Sequence, residues 1–199
     1  QVYGTSDRTH PGANYLFNHS GQHYLGGKLE VLSLPLHFDF KRLRQTPAEI
    51  RASFKKLGWN RMAGFLTRNP IHRPQFAMTI NAMRQAKANL LLLPIAGMTK
   101  PGDFDHYTRV RCYQAVMAHY PKNTASLSLL PLAMRLAGPR EALWHAIVSQ
   151  NYGCSHLIVG PKHAYPPPNN GDTAQFYEPD QAKELIEDYA DDLAIKMVP

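Results

Sequence analysis

The chain has 199 residues, 44% of them hydrophobic, and 22 Lys and Arg against 15 Asp and Glu give a net charge of +7 with histidine neutral. That length and apolar content suit one sizeable domain with a true core, with room for a small appendage. The basic surplus fits an anionic ligand, but the cations are scattered without a run of five or six, which argues against nucleic acid.

Residues 1–37 are rich in Gly, His, Asn and Tyr and show no helical period. His23 to Leu32 reads as two short strands around the Gly26-Gly27 turn. Thr46-Pro47-Ala48-Glu49 opens a helix, with Thr46 as cap, Pro47 at the first helical position and Glu49 completing a capping box. Gly58 ends it.

From there the pattern alternates. Met62–Leu66 is a strand, and Phe76, Ile80 and Met83 mark one face of a helix. Leu90–Leu93 is a fully apolar strand. It is also the longest apolar run and stops at Pro94, so no membrane span is expected. Val110, Tyr113 and Met117 line the next helix, and Thr124–Leu130 is a third strand. Gly138 to Asn151 is a helix with Leu143 and Ile147 facing inward, followed by the helix-stop residue Gly153. His156–Val159 is a fourth strand. A Pro-rich loop spans 160–179, then Ala182, Leu185, Ile186, Tyr189 and Leu193 form a helical stripe, and Ala194–Val198 is the last strand.

Strand-helix alternation with apolar strands predicts an α/β fold: a doubly wound parallel sheet covered on both faces. Ligands of such sheets bind beyond the carboxyl ends of the strands. The loops after Leu66, Pro94, Leu130 and Val159 all lie there. The two cysteines, Cys112 and Cys154, are too few and too far apart for a disulfide scaffold or a four-ligand zinc site. Both sit in apolar patterns and are expected as buried free thiols. No signal peptide is seen, and the expected location is the cytoplasm.

The most informative stretch is Leu66-Thr67-Arg68-Asn69-Pro70-Ile71-His72-Arg73-Pro74-Gln75. It is a strand end, a polar turn and a helix start, with a guanidinium, a carboxamide and an imidazole close together. A helix N-terminus has unpaired N–H groups and suits an anion. The stretch resembles the Gln-Thr-Arg-Asn-Pro-Met-His-Arg-Ala-His signature of the ATP sulfurylase (sulfate adenylyltransferase) family. Further segments resemble that family in order: Gly97 to Asp103, Ala133-Met134-Arg135, Gly138 to Ile147, and Asn151 to Gly160 leading into a loop that the family writes Gly-Arg-Asp-His-Ala-Gly.

The resemblance implies a Rossmann-like nucleotidyltransferase domain over 38–199, apparently lacking its C-terminal end. Residues 1–37 would be the closing strands of a PUA-like β-rich domain. It implies transfer of the adenylyl group of ATP to sulfate, giving adenosine 5′-phosphosulfate and pyrophosphate by direct attack on the α-phosphorus. Mg²⁺ would be bound through ATP or pyrophosphate, with no protein metal site. A homo-oligomer is expected, and a fused adenylylsulfate kinase domain is compatible with it.

By the same resemblance Arg68 holds sulfate, Thr67 and Asn69 donate to phosphate or sulfate, and His72 donates to developing charge on the α-phosphate. Gln75, Arg140, Lys162, His163 and Ala164 complete the substrate-binding set. Lys100 and Asp103 sit in a loop that would close over the nucleotide, and His145 is read either as a nucleotide contact or as a satisfied core histidine. Five positions depart from the family pattern: Leu66 for Gln, Gln75 for the second His, and Pro161, Lys162 and Tyr165 in the sulfate-side loop. They keep two alternatives open: a degenerate non-catalytic nucleotide-binding relative, and a nucleotidyltransferase with another acceptor.

Overall fold

The computed structural model describes residues 1–33, 35–97, 104–167 and 175–198. Its elements in chain order are α1 (Pro11–Asn18), a 3₁₀ turn (Lys41–Leu43), α2 (Pro47–Leu57), β1 (Met62–Thr67), α3 (Arg73–Ala86), β2 (Asn89–Pro94) and α4 (His106–Met117). They continue with β3 (Ala125–Leu127), α5 (Pro139–Asn151), β4 (His156–Ile158), α6 (Gln181–Asp188) and β5 (Lys196–Val198).

The strands form one parallel sheet in the order β3-β2-β1-β4-β5. The chain builds outward from β1 to one edge, then returns and builds from β4 to the other. The reversal lies between β1 and β4, where Ala63 pairs with His156 and Gly64 with Leu157. In an open parallel sheet the crevice for a ligand lies beyond the strand ends at this reversal.

Side-chain alternation sorts the core into two layers. Leu66, Leu91, Leu93 and Leu157 pack with Ile50, Phe54, Ala142, Ala146 and Ile186 on one face. Ala63, Phe65, Leu90, Leu92 and Ile158 pack with Ala82, Met83 and Tyr113 on the other. Leu90 to Leu93 are each fully buried, and burying a leucine contributes about 1.5–3 kcal/mol.

Local signals are obeyed. The Thr46 N–H donates to Glu49 Oε2 at 2.7 Å and the Glu49 N–H to Thr46 Oγ1 at 3.3 Å, the reciprocal capping box. Gly58 takes φ +69° to close α2. Several expectations are corrected. Residues 23–32 contain no strand and are exposed, while α1 stands where no helical period was read. A lone hairpin is marginal without further strands, and among the described residues none flanks it. The third strand is shorter than read; beyond Leu127 only a bridge, Ile95 to Leu130, continues it. The last helix stops at Asp188, before Leu193. Cys154 is buried, but Cys112 is exposed.

The inward face of α5 is Ala142, His145, Ala146 and Ser149, whereas Ile147 is 43% exposed. The cause is close helix-to-sheet approach. A Cβ on Gly64 of β1 would stand 3.3 Å from Ser149 Oγ and 3.0 Å from Cys154 Sγ, so only small residues fit between.

No helix among the described residues is long and apolar enough to cross a membrane.

Candidate active site at the sheet reversal

The first wall is the turn leaving β1. The Thr67 carbonyl closes the ladder by accepting from Ile95 N–H at 2.8 Å. The Thr67 hydroxyl folds back to the Asn69 carbonyl at 2.9 Å, so its side chain serves the turn. From behind, Arg109 Nη1 donates to the Arg68 carbonyl at 3.1 Å and the Tyr113 hydroxyl to the Asn69 carbonyl at 3.0 Å. His72 is the N-cap of α3 and is exposed. Its N–H donates to Gln75 Oε1 at 3.1 Å, so the Gln75 carboxamide is engaged as a cap acceptor. Pro74 sits in the first turn of α3, where its missing N–H costs nothing.

The second wall is the loop after β4. Ala164 is buried with φ +59°, and its carbonyl accepts from Gly138 N–H at 3.1 Å. The Pro161 carbonyl accepts from Asp180 N–H at 3.0 Å. The Tyr165 hydroxyl donates to the Glu178 carbonyl, and its ring lies 5.2 Å from that of Tyr177.

His163 Nε2 is 2.9 Å from His145 Nδ1, one proton between them. His145 Nε2 has no hydrogen-bond partner and faces Glu141 Oε1 at 3.6 Å. Burial pushes His163 down to about 4, and burial with the neighbouring His163 pushes His145 down to about 3. Both rings are therefore neutral near pH 7. Burial pushes the Glu141 carboxyl upward, opposed by the N–H groups of Arg135 (2.7 Å) and Ala137 (3.0 Å) that donate to it.

The two walls face each other across a cavity of about 430 Å³. It brings together Thr67, Arg68 and Asn69 with Lys162, His163 and Ala164, and both Leu66 and Tyr165 line it. His145 lines it too, as a buried histidine held by its neighbour His163. His72 and Gln75 stand outside its lining, at the start of α3. Arg140 is not brought here: it is exposed at the start of α5 and lines a separate cavity of about 390 Å³ with Glu184 and Asp188. Lys100 and Asp103 lie outside the described residues.

The floor beside this cavity depends on residues that sequence reasoning missed. His10 is fully buried, and its Nδ1 accepts from the N–H groups of Gly12 (3.0 Å) and Ala13 (3.3 Å). Its proton is thus on Nε2, which reaches the Leu136 carbonyl at 3.0 Å and the Tyr177 hydroxyl at 3.1 Å. Tyr177 in turn donates to the Tyr3 carbonyl at 2.9 Å. This clasp fixes the loop carrying Met134 and Leu136, which line the cavity. Arg109 was also missed. Its signal was present: an arginine four residues before Tyr113 lies on the face that carries the apolar stripe.

The family model for ATP-sulfurylase matches residues 41–199. The sulfate adenylyltransferase of Schizosaccharomyces pombe is 51% identical over 199 residues, covering 100% of this chain and 40% of that protein. The sulfate adenylyltransferase of Saccharomyces cerevisiae is 51% identical over 193 residues, covering 97% of this chain and 38% of that protein. Among solved structures, a hexameric APS kinase from Thiobacillus denitrificans aligns with TM-score 0.66 at 34% identity, over 83% of this chain and 29% of that one. The chain thus spans well under half the length of these relatives. On the family model and on identity over the full chain, it belongs to the ATP-sulfurylase family.

Proposed function

We propose that this chain carries the catalytic centre of a sulfate adenylyltransferase, which joins a sulfate oxygen to the α-phosphorus of ATP and expels pyrophosphate, reversibly. The observation that carries this reading is the meeting of the Thr67–Asn69 turn and the Lys162–Ala164 loop in one cavity at the sheet reversal. Such a transfer needs cations and donors arranged around developing phosphate charge, with no nucleophilic side chain.

In this reading the Arg68 guanidinium holds sulfate bidentately. Asn69 and the backbone N–H of Ala164 donate to the oxyanions, and Lys162 supplies charge where the family has arginine one position earlier. Thr67 acts through the turn it closes. His72, at the positive end of α3, donates to the α-phosphate. Mg²⁺ arrives on the polyphosphate. The polar groups facing the cavity are cationic or neutral, which suits the phosphates and not a bare cation. We place the protein in the cytoplasm as a homo-oligomer, and the kinase name of the structural neighbour is compatible with a fused kinase domain.

The test is ATP formation from adenosine 5′-phosphosulfate and pyrophosphate, with Arg68→Ala as control. No ATP above a heat-killed sample, with folding confirmed, refutes the reading. Titration with ATP and with adenosine 5′-phosphosulfate then separates a non-catalytic binder from a chain that binds neither.

A second reading, a nucleotidyltransferase with another acceptor, is favoured by one observation. Tyr165 and Leu66 line the cavity, and Tyr165 is held there through its bond to the Glu178 carbonyl. Turnover with a different oxyanion and none with sulfate would establish it.

A further inference from the structure

We propose that Arg109 and Tyr113 of α4 are positioning residues for this site: by holding the carbonyl oxygens of Arg68 and Asn69 they set where the Arg68 side chain stands. The inference deepens the proposed function and rests on it for its kinetic readout.

The accounting of backbone groups comes first. The turn after β1 has left the ladder, so its carbonyls need other donors. The Thr67 carbonyl has Ile95 N–H, the last ladder bond. The next two reach α4: the Arg68 carbonyl accepts from Arg109 Nη1 at 3.1 Å, and the Asn69 carbonyl, which also accepts from the Thr67 hydroxyl at 2.9 Å, accepts from the Tyr113 hydroxyl at 3.0 Å. Neither Arg109 nor Tyr113 lines the large cavity, although Arg109 shares with Arg68 a smaller adjoining one of about 90 Å³. Two electronegative oxygens are therefore drawn out of the space that would receive an anion, and the turn keeps its donors for that space.

The charge is the second point. Arg109 is 4% exposed, its Nε has no hydrogen-bond partner, and among the described residues no carboxylate pairs with it. Burying a cation is costly. A neutral donor suffices to hold a carbonyl, as Tyr113 does one helical turn on. The guanidinium adds a fixed positive charge immediately behind the Arg68 backbone, in a region screened from water. Such preorganised charge favours an anion at the neighbouring site. Both residues share one face of α4 at i and i+4, so the rigid helix carries the two holding points together. Burial pushes the Tyr113 hydroxyl up to about 12, so it remains a donor across the working pH range.

The experiment compares Tyr113→Phe, which removes one hydroxyl, and Arg109→Lys, which keeps the charge and loses the fork. Cys112→Ser on the exposed side of the same helix is the control. The expected result is a KM for sulfate raised at least fivefold in Tyr113→Phe and tenfold in Arg109→Lys, with the KM for ATP within twofold of the parent. A merely structural role would lower melting temperature and active fraction and leave both KM values unmoved; that result overturns the inference. If the parent protein does not use sulfate, the functional reading fails separately. The inference is then read from backbone hydrogen exchange of residues 68–73. Faster exchange there in both variants, and not in Cys112→Ser, supports it; unchanged exchange overturns it.

Discussion

Leu66→Gln restores the family residue at the mouth of the site, and the structure sets its cost. Leu66 is 6% exposed, pairs with Leu93 in the sheet and packs in the layer with Leu91 and Leu157, yet it also lines the cavity. Glutamine keeps most of the volume and exchanges apolar burial for an amide, a loss of about 2 kcal/mol. If the amide tip were sealed in the core, leaving it unpaired would cost about 1–3 kcal/mol more. Because the position borders the cavity, the tip reaches water and the second cost is avoided. At about 2–4 °C per kcal/mol for a chain of this size, the melting temperature should fall by about 4–8 °C. Sulfate or adenosine 5′-phosphosulfate should then raise it more in the variant than in the parent, since the new donor meets the anion. The assay is thermal melting with and without each anion, alongside sulfate-dependent turnover. A fall beyond about 12 °C with no anion response refutes the placement of Leu66 at the cavity, and no fall refutes its place in the core.

Three further outcomes are expected. His72→Ala should lower kcat by roughly a hundredfold with nucleotide affinity nearly intact; because His72 is exposed and its backbone N–H still caps through Gln75, stability should change little, and unaltered kinetics would reduce it to an ordinary cap position. Stability should fall as pH drops from about 6.5, where unfolded histidine protonates, towards the values of about 4 and about 3 that His163 and His145 keep in the fold. The unfolded chain binds more protons across that window, so stability is full above it; urea midpoints that stay flat from neutral pH to pH ~4.5 would contradict the buried neutral pair. Gly138→Ala forces a side chain at φ +53° and puts a Cβ 2.6 Å from the Tyr177 ring, which should cost about 2–4 kcal/mol in chemical denaturation; a loss under about 0.5 kcal/mol would mean the clasp around Tyr177 shifts freely.

Much of the fold was legible because the signals were local. The Thr46–Glu49 capping box, the Gly58 stop and the unbroken apolar run of β2 each report on their own few residues. The cavity's two walls were legible for a related reason: turns at the carboxyl ends of parallel strands are where polar residues carry chemistry. What could not be read depends on distant partners. The small inner face of α5 follows from Gly64 and Cys154 on neighbouring segments, so Leu143 and Ile147 looked like the natural inward pair. His10 resembles any polar residue until Leu136 and Tyr177 are placed around it. Arg140, near a helix start like His72, gave no sign that its side chain would line the separate cavity with Glu184 and Asp188.

The clasp at His10 also orders events in time. Its bonds join residues separated by 126, 167 and 174 positions along the chain. Contacts that close such long loops come late, because the chain loses freedom well before they reward it. During synthesis α1 leaves the ribosome before any strand of the sheet, then waits for Tyr177 to be made. At about 5–20 residues per second that is roughly 8–33 s before the clasp can close. The sheet around β1 and β2 assembles in the meantime, and the loop bearing Met134 and Leu136 is fastened only afterwards. The cavity thus takes its final shape late, and a nascent chain arrested before residue 177 would hold β1 to β4 but lack both the clasp and the edge strand β5.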